Sequence, residues 1–165
     1  MNKCSEVMTR NPVACVRDDL VVKVAQVMKK EDVGPVPIVE NRQTRKLIGM
    51  VTDRDLALKM VAEGRDGKTT RAEEVMSRKI VTCRAGDDLQ KALDAMAENQ
   101  LRRIPVVDDD GAIIGIIAQA DIATRVNQPA KTAEVLRGIS RSKSDGRAQP
   151  AVVSAAKAMA AQKVV

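Results

Sequence analysis

An internal repeat constrains this chain more than any other feature of its sequence. The stretch Gly49-Met50-Val51-Thr52-Asp53-Arg54-Asp55 returns 66 positions later as Gly115-Ile116-Ile117-Ala118-Gln119-Ala120-Asp121. Further matches lie 66 to 69 positions apart: Val7-Met8 and Val75-Met76, Asp18-Asp19-Leu20 and Asp87-Asp88-Leu89, Met28 and Met96, Pro37-x-Val39 and Pro105-x-Val107, Ala57 and Ala123. Self-similarity at a fixed period indicates one supersecondary unit used twice.

The pattern of apolar residues predicts the order β-α-β-β-α for each copy. In the first copy the strands are expected at 13–16, 36–39 and 47–51, with a helix through Val61 after the third strand. In the second copy they are expected at 80–83, 104–107 and 113–117. Pro37, inside the second strand, favours an edge position or a strand start. Asp109-Asp110-Gly111 favours a solvated hairpin turn, because the run lacks the spaced ligands of a Ca²⁺ loop.

We divide the chain accordingly. The predicted units are repeat 1 (1–62), a polar linker (63–72), repeat 2 (73–127), a short helix (128–137) and a basic Ala/Ser/Lys-rich tail (138–165). The tail carries +4 of the net charge of +6. Because so little of the charge belongs to the repeats, we do not expect nucleic acid to be their partner.

Composition excludes several classes of function. The 165 residues include no Phe, Trp, Tyr or His, which excludes histidine-dependent triads, histidine metal sites and stacking of bases on aromatic rings. No apolar run approaches the ~20 residues of a membrane span. The first residues lack an apolar signal core, so we expect a cytoplasmic protein.

The three cysteines suggest neither a disulfide framework nor a zinc site. Cys15 and Cys83 occupy equivalent positions in the repeats, and we interpret them as small buried apolar residues. Cys4, near the N-terminus, is a candidate for exposure. A structural role is favoured over a redox role, since reactive thiols need a special microenvironment.

The repeated stretch joins a strand to a helix, and two interpretations of it are open. A helix N-terminus offers unpaired N–H groups that suit anions, while Thr52 and Asp55 add the hydroxyl and carboxylate that suit the vicinal hydroxyls of a sugar. Thr-x-x-Asp before an apolar run is also a capping box, which serves only the helix.

Two β-α-β-β-α copies, each with an apolar-Pro second strand and a Gly-apolar-apolar-x-x-x-Asp junction, resemble a tandem pair of CBS domains. The name comes from cystathionine β-synthase, and the pair is also called a Bateman module. The resemblance covers about residues 1–137. It implies an α+β fold of α/β-like character, two repeats related by a pseudo-two-fold axis, and assembly into dimers. It also implies clefts for AMP, ADP or ATP, with S-adenosylmethionine and NAD as further candidates.

The family's ribose motif, Gly-apolar-x-Thr/Ser-x-x-Asp, is complete only in the first copy, since Ala118 replaces the hydroxyl residue in the second. A missing hydrogen bond there would cost roughly 1 kcal/mol. The residues implied for the first cleft are Met50, Thr52, Arg54, Asp55, Lys79, Ile80, Leu101, Arg102 and Arg103. Those implied for a second, weaker cleft are Pro12, Val13, Val33, Gly34, Pro35, Ile116 and Asp121.

Within the first cleft, Met50, Ile80 and Leu101 would sandwich the adenine, while Arg102 and Arg103 would meet phosphate. The two arginines could instead form weak surface ion pairs.

The leading hypothesis is a non-catalytic regulatory and signal-transduction module, dimeric, whose ligand level is read by a separate effector protein. The alternative is a ligand-independent dimerisation or interaction module with degenerate clefts, whose tail contacts nucleic acid or acidic partners. An enzyme is disfavoured because no set of nucleophile, base and orienting group is visible.

Overall fold

A computed structural model of the chain describes residues 2–125 and the single position 137. The rest of the predicted helix 128–137 and the tail 138–165 lie outside the described residues. The helices are α1 (Cys4–Val7), α2 (Val21–Glu31), α3 (Asp53–Leu56), α4 (Ala72–Val75), α5 (Leu89–Glu98) and α6 (Gln119–Arg125). The strands are β1 (Thr9–Arg10), β2 (Cys15–Val16), β3 (Pro35–Val39), β4 (Leu47–Thr52), β5 (Cys83–Arg84), β6 (Arg103–Val107) and β7 (Ile113–Ala118).

The predicted order β-α-β-β-α is confirmed in both copies. β2 and β3 are parallel and are joined by the crossover helix α2, whereas β3 and β4 form an antiparallel hairpin. β5, β6 and β7 repeat this arrangement around α5. The two sheets have the strand orders β2-β3-β4 and β1-β7-β6-β5. The first strands are shorter than expected, since each contributes two paired residues, Cys15–Val16 and Cys83–Arg84.

The helices form where the apolar spacing predicts them. In α2 the residues Val21, Val24 and Met28 lie on one buried face, and in α5 the equivalent face is also buried. The side chain of Asp88 caps α5 by accepting a hydrogen bond from the N–H of Gln90 at 3.0 Å. After α3 the chain continues as a π-helical turn over Ala57–Val61, so the helix through Val61 is confirmed with a local change of winding.

The expected edge position of Pro37 is wrong, because β3 is the central strand of its sheet. At Pro37 itself, however, β3 is paired with a neighbouring strand on one side only. β2 pairs with Ile38 and Val39, one residue further on, while β4 runs opposite Pro37 at Met50. The proline ring therefore lies beyond the two-residue ladder of β2, and its missing N–H removes no bond of that ladder.

The leading segments of the two repeats are exchanged. α1 and Met8 pack in the core of repeat 2, while α4 and Met76 pack in the core of repeat 1. Equivalent hydrogen bonds hold the two segments, from the N–H of Cys4 to the carbonyl of Asp87 at 3.0 Å and from Ala72 to Asp19 at 2.8 Å. Each core is therefore completed by a segment that precedes the other repeat.

The exchange explains the glycine of the repeated stretch. A Cβ on Gly49 would overlap the side chain of Met76, and a Cβ on Gly115 would overlap that of Met8. Both glycines are buried in the strand before the junction. Each glycine is needed for the close approach of a methionine from the exchanged segment. This structural reason for the glycine does not depend on ligand binding.

A pseudo-two-fold relation between the repeats is visible at the hairpin ends. The N–H of Leu47 donates to the carbonyl of Gly111, and the N–H of Ile113 donates to the carbonyl of Arg45, both at 3.0 Å. These are the same contact made in both directions. They join the two sheets end to end.

All three cysteines are free and buried. This confirms the interpretation of Cys15 and Cys83. The expected exposure of Cys4 is wrong, since the residue lies in the exchanged helix α1 and is 0% exposed.

Candidate functional site

The junction of the first repeat holds Asp55 by hydrogen bonds from Thr52. The Oδ2 atom of Asp55 accepts from the N–H of Thr52 at 2.9 Å and from its hydroxyl at 2.7 Å. In return, the N–H of Asp55 donates to the Oγ1 atom of Thr52 at 3.1 Å. The capping box expected from the sequence is therefore formed. The side chain of Asp55 is 14% exposed, so part of the carboxylate still faces solvent.

Lys59 connects this carboxylate to the exchanged helix α4. Its ammonium lies 2.8 Å from the Oδ1 atom of Asp55 and donates to the carbonyl of Val75, the last residue of α4, at 2.6 Å. Burial alone would raise the pKa of Asp55, but hydrogen bonds from Lys59 and Thr52, with the charge of Lys59, lower that pKa below its ordinary value. Asp55 is therefore ionised at neutral pH, and its charge is tied to the packing between the repeats.

The junction of the second repeat holds Asp121 in a related way. The Oδ2 atom accepts from the N–H of Ala118 at 2.8 Å. Arg125 takes the place of Lys59, since its guanidinium lies 3.4 Å from Asp121 and donates to the carbonyl of Val7 at 2.8 Å. Val7 ends α1 as Val75 ends α4.

A hydroxyl reaches Asp121 from outside its own motif. Thr9, in β1, donates to the Oδ1 atom of Asp121 at 3.3 Å. The hydroxyl missing at Ala118 is thus partly replaced from the exchanged segment. Sequence reasoning missed Thr9, Lys59 and Arg125, although a basic residue four positions after each aspartate was a visible signal.

The structure brings together part of the predicted first cleft. Met50 pairs with Ser77, and the chain continues from Ser77 to Lys79, which is exposed, and Ile80, which is half-buried. Residues from both copies therefore meet beside the first junction. Arg54 lies on α3 with an exposed side chain.

The segment 101–103 lies beside the second junction and extends toward the first. The carbonyl of Arg102 accepts from the N–H of Gln119 at 3.0 Å. A Cβ placed on Gly34 would lie 3.4 Å from the Nη1 atom of Arg103 and 3.3 Å from the Oδ2 atom of Asp53. Arg103 thus reaches the first repeat at Gly34, and among residues 2–125 no hydrogen bond or ion pair joins its side chain to Thr52 or Asp55. Leu101 is half-buried against the second core.

The predicted alternative for the two arginines, surface ion pairs, is not what the described residues show. Within residues 2–125, no carboxylate lies within 4.0 Å of the guanidinium groups of Arg102 and Arg103. Both side chains are exposed. Their charges are therefore open to an anion from solution.

Only part of the predicted second cleft is brought together across the two copies. β1 pairs antiparallel with β7, placing Thr9 opposite Ile116, and the chain continues to Pro12 and Val13. The carbonyl of Pro12 accepts from Arg45 at 2.8 Å, and Val13 is exposed.

The second base segment, Val33-Gly34-Pro35, lies against the first junction rather than the second. The carbonyl of Gly34 accepts from the N–H of Asp53 at 2.9 Å, and Pro35 lies opposite Thr52. Val33 is exposed. Segments 33–35 and 101–103 therefore approach each other where Arg103 lies close to Gly34.

Both copies of the repeat match a known protein family. The sequence model of the CBS domain matches residues 4–62 and 72–127. The chain belongs to the CBS domain family. The CBS domain-containing protein YhcV of Bacillus subtilis is 38% identical over 128 residues, which cover 78% of this chain and 86% of YhcV.

Solved structures of CBS proteins have the same fold. Hypoxic Response Protein I, solved with two coordinated zinc ions, has a TM-score of 0.68 at 32% identity and covers 76% of this chain and 99% of its own. The CBS domain pair of protein MJ0100, in complex with 5-methylthioadenosine and S-adenosyl-L-methionine, has a TM-score of 0.66 at 24% identity and covers 74% of this chain and 94% of its own.

Two further features bear on this CBS pair. Among residues 2–125 no cluster of three or more Cys, Asp or Glu side chains is arranged to hold a metal ion. No helix among the described residues is long and apolar enough to span a membrane.

Proposed function

We propose that this CBS pair is a regulatory module that binds an adenosyl nucleotide, AMP, ADP or ATP, at the first junction. The observation that carries the proposal is the ionised carboxylate of Asp55, held beside the Thr52 hydroxyl at the start of α3 and 14% exposed. A fixed carboxylate next to a hydroxyl is suited to the two vicinal hydroxyls of a ribose. S-adenosylmethionine and NAD carry the same ribose and remain candidates.

The remaining parts of a nucleotide also find suitable surroundings. An adenine ring needs apolar contact, and Met50 and Ile80 offer half-buried aliphatic side chains. The exposed cations of Arg54, Arg102 and Arg103 have no carboxylate partner among the described residues and are suited to phosphate. The ligands in the CBS pair of MJ0100 are adenosyl compounds, which supports this ligand class for a pair of the same fold.

The contacts of Lys59 suggest how binding is transmitted. An ionised carboxylate has about four acceptor positions, and Asp55 already receives two donors from Thr52 and one from Lys59. A ribose diol brings two more donors, so Lys59 is displaced or shared. Because Lys59 also holds the carbonyl of Val75 at 2.6 Å, ligand binding changes how α4 is held on repeat 1. A separate effector protein would read that change.

The second cleft is included in the proposal as the weaker site. Asp121 has its own hydroxyl donor in Thr9, but Asp121 is also contacted by the guanidinium of Arg125 at 3.4 Å. The exposed Val13, which follows β1 in the chain, supplies apolar surface for a base. We expect it to bind the same ligand class with lower affinity.

A thermal melt followed by circular dichroism tests the proposal, since the chain has no Trp or Tyr for fluorescence. A ligand at a hundred times its dissociation constant adds about 2.7 kcal/mol of stability. We expect AMP, ADP or ATP to raise the melting temperature, and we expect the main rise to be lost in Asp55→Ala and kept in the matched Asp121→Ala. A well-folded protein with no response to the ligand panel would contradict the proposal.

A dimerisation module is the second candidate function, and one observation favours it. Leu58 and Val61 are 51% and 81% exposed and lie three positions apart in the π-helical turn after α3. Exposed apolar side chains so placed suit a second copy of the chain. Sedimentation velocity tests this, with Val61→Asp expected to dissociate a dimer and Gln26→Asp, on the exposed part of α2, expected to leave it intact.

A further inference from the structure

One arginine joins the second junction to the exchanged segment that completes repeat 2. We call residues 4–10, which contain α1 and β1, the α1–β1 segment. The guanidinium of Arg125 donates to the carbonyl of Val7 at 2.8 Å and to the hydroxyl of Thr9 at 3.4 Å. It also lies 3.4 Å from the Oδ1 atom of Asp121. Arg125 therefore holds the end of α1, the start of β1 and the carboxylate of the junction together.

The hydroxyl of the second junction belongs to this segment, whereas the hydroxyl of the first junction belongs to its own motif. Thr9 donates to Asp121 at 3.3 Å across 112 positions of the chain. Thr52 donates to Asp55 at 2.7 Å across three positions, so this pair stays together whether or not α4 is docked. The carboxylate–hydroxyl pair of the second junction is therefore assembled by docking of the α1–β1 segment, while that of the first junction is local.

The two exchanged segments also differ in the charges that hold them. The N–H of Glu73 donates to the carbonyl of Arg17, and the N–H of Ser5 makes the equivalent bond to the carbonyl of Ala85. In repeat 1 the side chains at these positions form an ion pair at 2.7 Å, whereas Ser5 and Ala85 carry no charge. Among the described residues, no ion pair joins the α1–β1 segment to repeat 2. A surface ion pair adds little stability, but its absence leaves this segment more dependent on Arg125.

We propose that Arg125 is a positioning residue that assembles the second cleft by docking the α1–β1 segment, so that a ligand in this cleft and the docked segment stabilise each other. The ligand half of this inference rests on the proposed function, while the docking half concerns the free protein. In the undocked state Thr9 is away from Asp121, and the cleft lacks its hydroxyl. A ligand that binds only the docked state shifts the equilibrium toward it. Ligand binding at the second cleft therefore acts on α1, where binding at the first acts on α4.

Two buried thiols report docking separately from global unfolding. Cys4 lies in α1 and is 0% exposed, whereas Cys15 lies in the core of repeat 1 and is 1% exposed. Release of the α1–β1 segment brings Cys4 into solvent and leaves Cys15 buried. A thiol reagent modifies a buried cysteine only when its surroundings open, so the rate at each cysteine measures the opening of its own region.

The test is alkylation of the ligand-free full chain with iodoacetamide, followed over time by peptide mass spectrometry. In the wild type we expect Cys4 to be modified faster than Cys15. Arg125→Ala removes a hydrogen bond from a charged group, and we expect it to accelerate modification of Cys4 about tenfold and to leave Cys15 unchanged. Arg125→Lys keeps a charged donor and should restore part of the protection. The control Thr124→Ala, on the same helix, should leave both rates unchanged.

The ligand-free rates can overturn the docking half directly. Equal rates at Cys4 and Cys15 in the wild type would show that the chain opens only as a whole. Equal acceleration of both cysteines by Arg125→Ala would show that the arginine stabilises the whole chain rather than the α1–β1 segment. An Arg125→Ala chain in which Cys4 is modified no faster than in the wild type would also overturn the docking half.

AMP tests the ligand half in Asp55→Ala, in which the first cleft is weakened. Calorimetry measures binding at the remaining cleft. We expect saturating AMP to slow modification of Cys4, and we expect no slowing at the same concentration once Arg125→Ala is added. Binding without slower modification would overturn the coupling and leave the proposed ligand class intact. Absence of binding would overturn both the coupling and the second cleft of the proposed function, while the ligand-free rates still decide the docking half.

Discussion

Asp55 and Asp121 are equivalent carboxylates with the same side-chain exposure of 14%, yet their hydroxyl partners come from different parts of the chain. Asp55 uses Thr52 of its own motif, whereas Asp121 uses Thr9 of the exchanged segment. A motif lost from one position of the sequence can thus be replaced in space by a residue more than a hundred positions away. The comparison teaches that a degenerate motif does not by itself mean a degenerate site.

The features shared by both junctions predict the largest effects. Gly49→Ala and Gly115→Ala each place a methyl group against a methionine of an exchanged segment. We expect each to lower the free energy of unfolding by about 1–3 kcal/mol, measured by urea denaturation. Adding Met76→Ala to Gly49→Ala gives the methyl group room, so the pair should be less destabilised than the two single changes would predict by addition. Full additivity would contradict the contact.

Thr52→Ala makes the first junction resemble the second at the capping position. It removes the hydroxyl that donates to Asp55 at 2.7 Å and accepts from its N–H at 3.1 Å. We expect a loss of about 1 kcal/mol of stability and weaker binding of the adenosyl ligand. The converse change, Ala118→Thr, is the matched control and should not weaken the second junction. Equal losses of stability from Thr52→Ala and Ala118→Thr would contradict the difference between the two junctions.

The charge of Asp55 predicts a pH dependence. Its folded pKa is lowered, so its contribution to stability is present above the unfolded pKa of about 3.9 and is lost as pH falls through the folded value. The stability advantage of the wild type over Asp55→Asn, measured in urea, should therefore shrink as pH falls below about 4. The pKa of Asp19 is also lowered, but its contribution cancels when the unfolding free energy of Asp55→Asn is subtracted from that of the wild type at each pH. An advantage independent of pH would contradict this.

Thr9→Ala should have the smallest effect on stability. It tests most directly whether the Thr9 hydroxyl replaces the hydroxyl that is missing at Ala118. The bond to Asp121 is long, at 3.3 Å, and exposed, so we expect a loss of about 0.5 kcal/mol. In calorimetry, binding at the second cleft should weaken in Thr9→Ala and recover in Thr9→Ser, while the first cleft is unchanged. Unaltered weak binding in Thr9→Ala would show that the hydroxyl has no role there.

Much of the fold could be predicted because the spacing of apolar residues along the chain determines which face of each helix is buried. Val21, Val24 and Met28 specify the buried face of α2 through their spacing alone, and the same holds for α5. The edge position predicted for Pro37 was wrong because β3 lies between β2 and β4. The proline is tolerated there because the two residues of β2 pair with Ile38 and Val39, beyond Pro37. Spacing within one strand does not contain that information.

The site was predictable only in part for a similar reason. The capping pair Thr52 and Asp55 is local, and its geometry follows the motif. The contacts of Lys59 and Thr9 join the two halves of the chain. Val7-Met8 and Val75-Met76 were recognised as a repeat, but two equivalent segments can pack with their own copy or with the other, and pattern cannot decide between these arrangements.

The exchange of α1 and α4 also has a consequence for folding during synthesis. The core of repeat 1 becomes complete only when Met76 has been made, well after the last strand of that repeat. α1 precedes both sheets in the sequence, but it can dock only after the second sheet has been synthesised, since β1 pairs with β7 at Ile116. Residues 4–10 therefore remain undocked until β7 has been synthesised, and the two repeats reach their final packing nearly together.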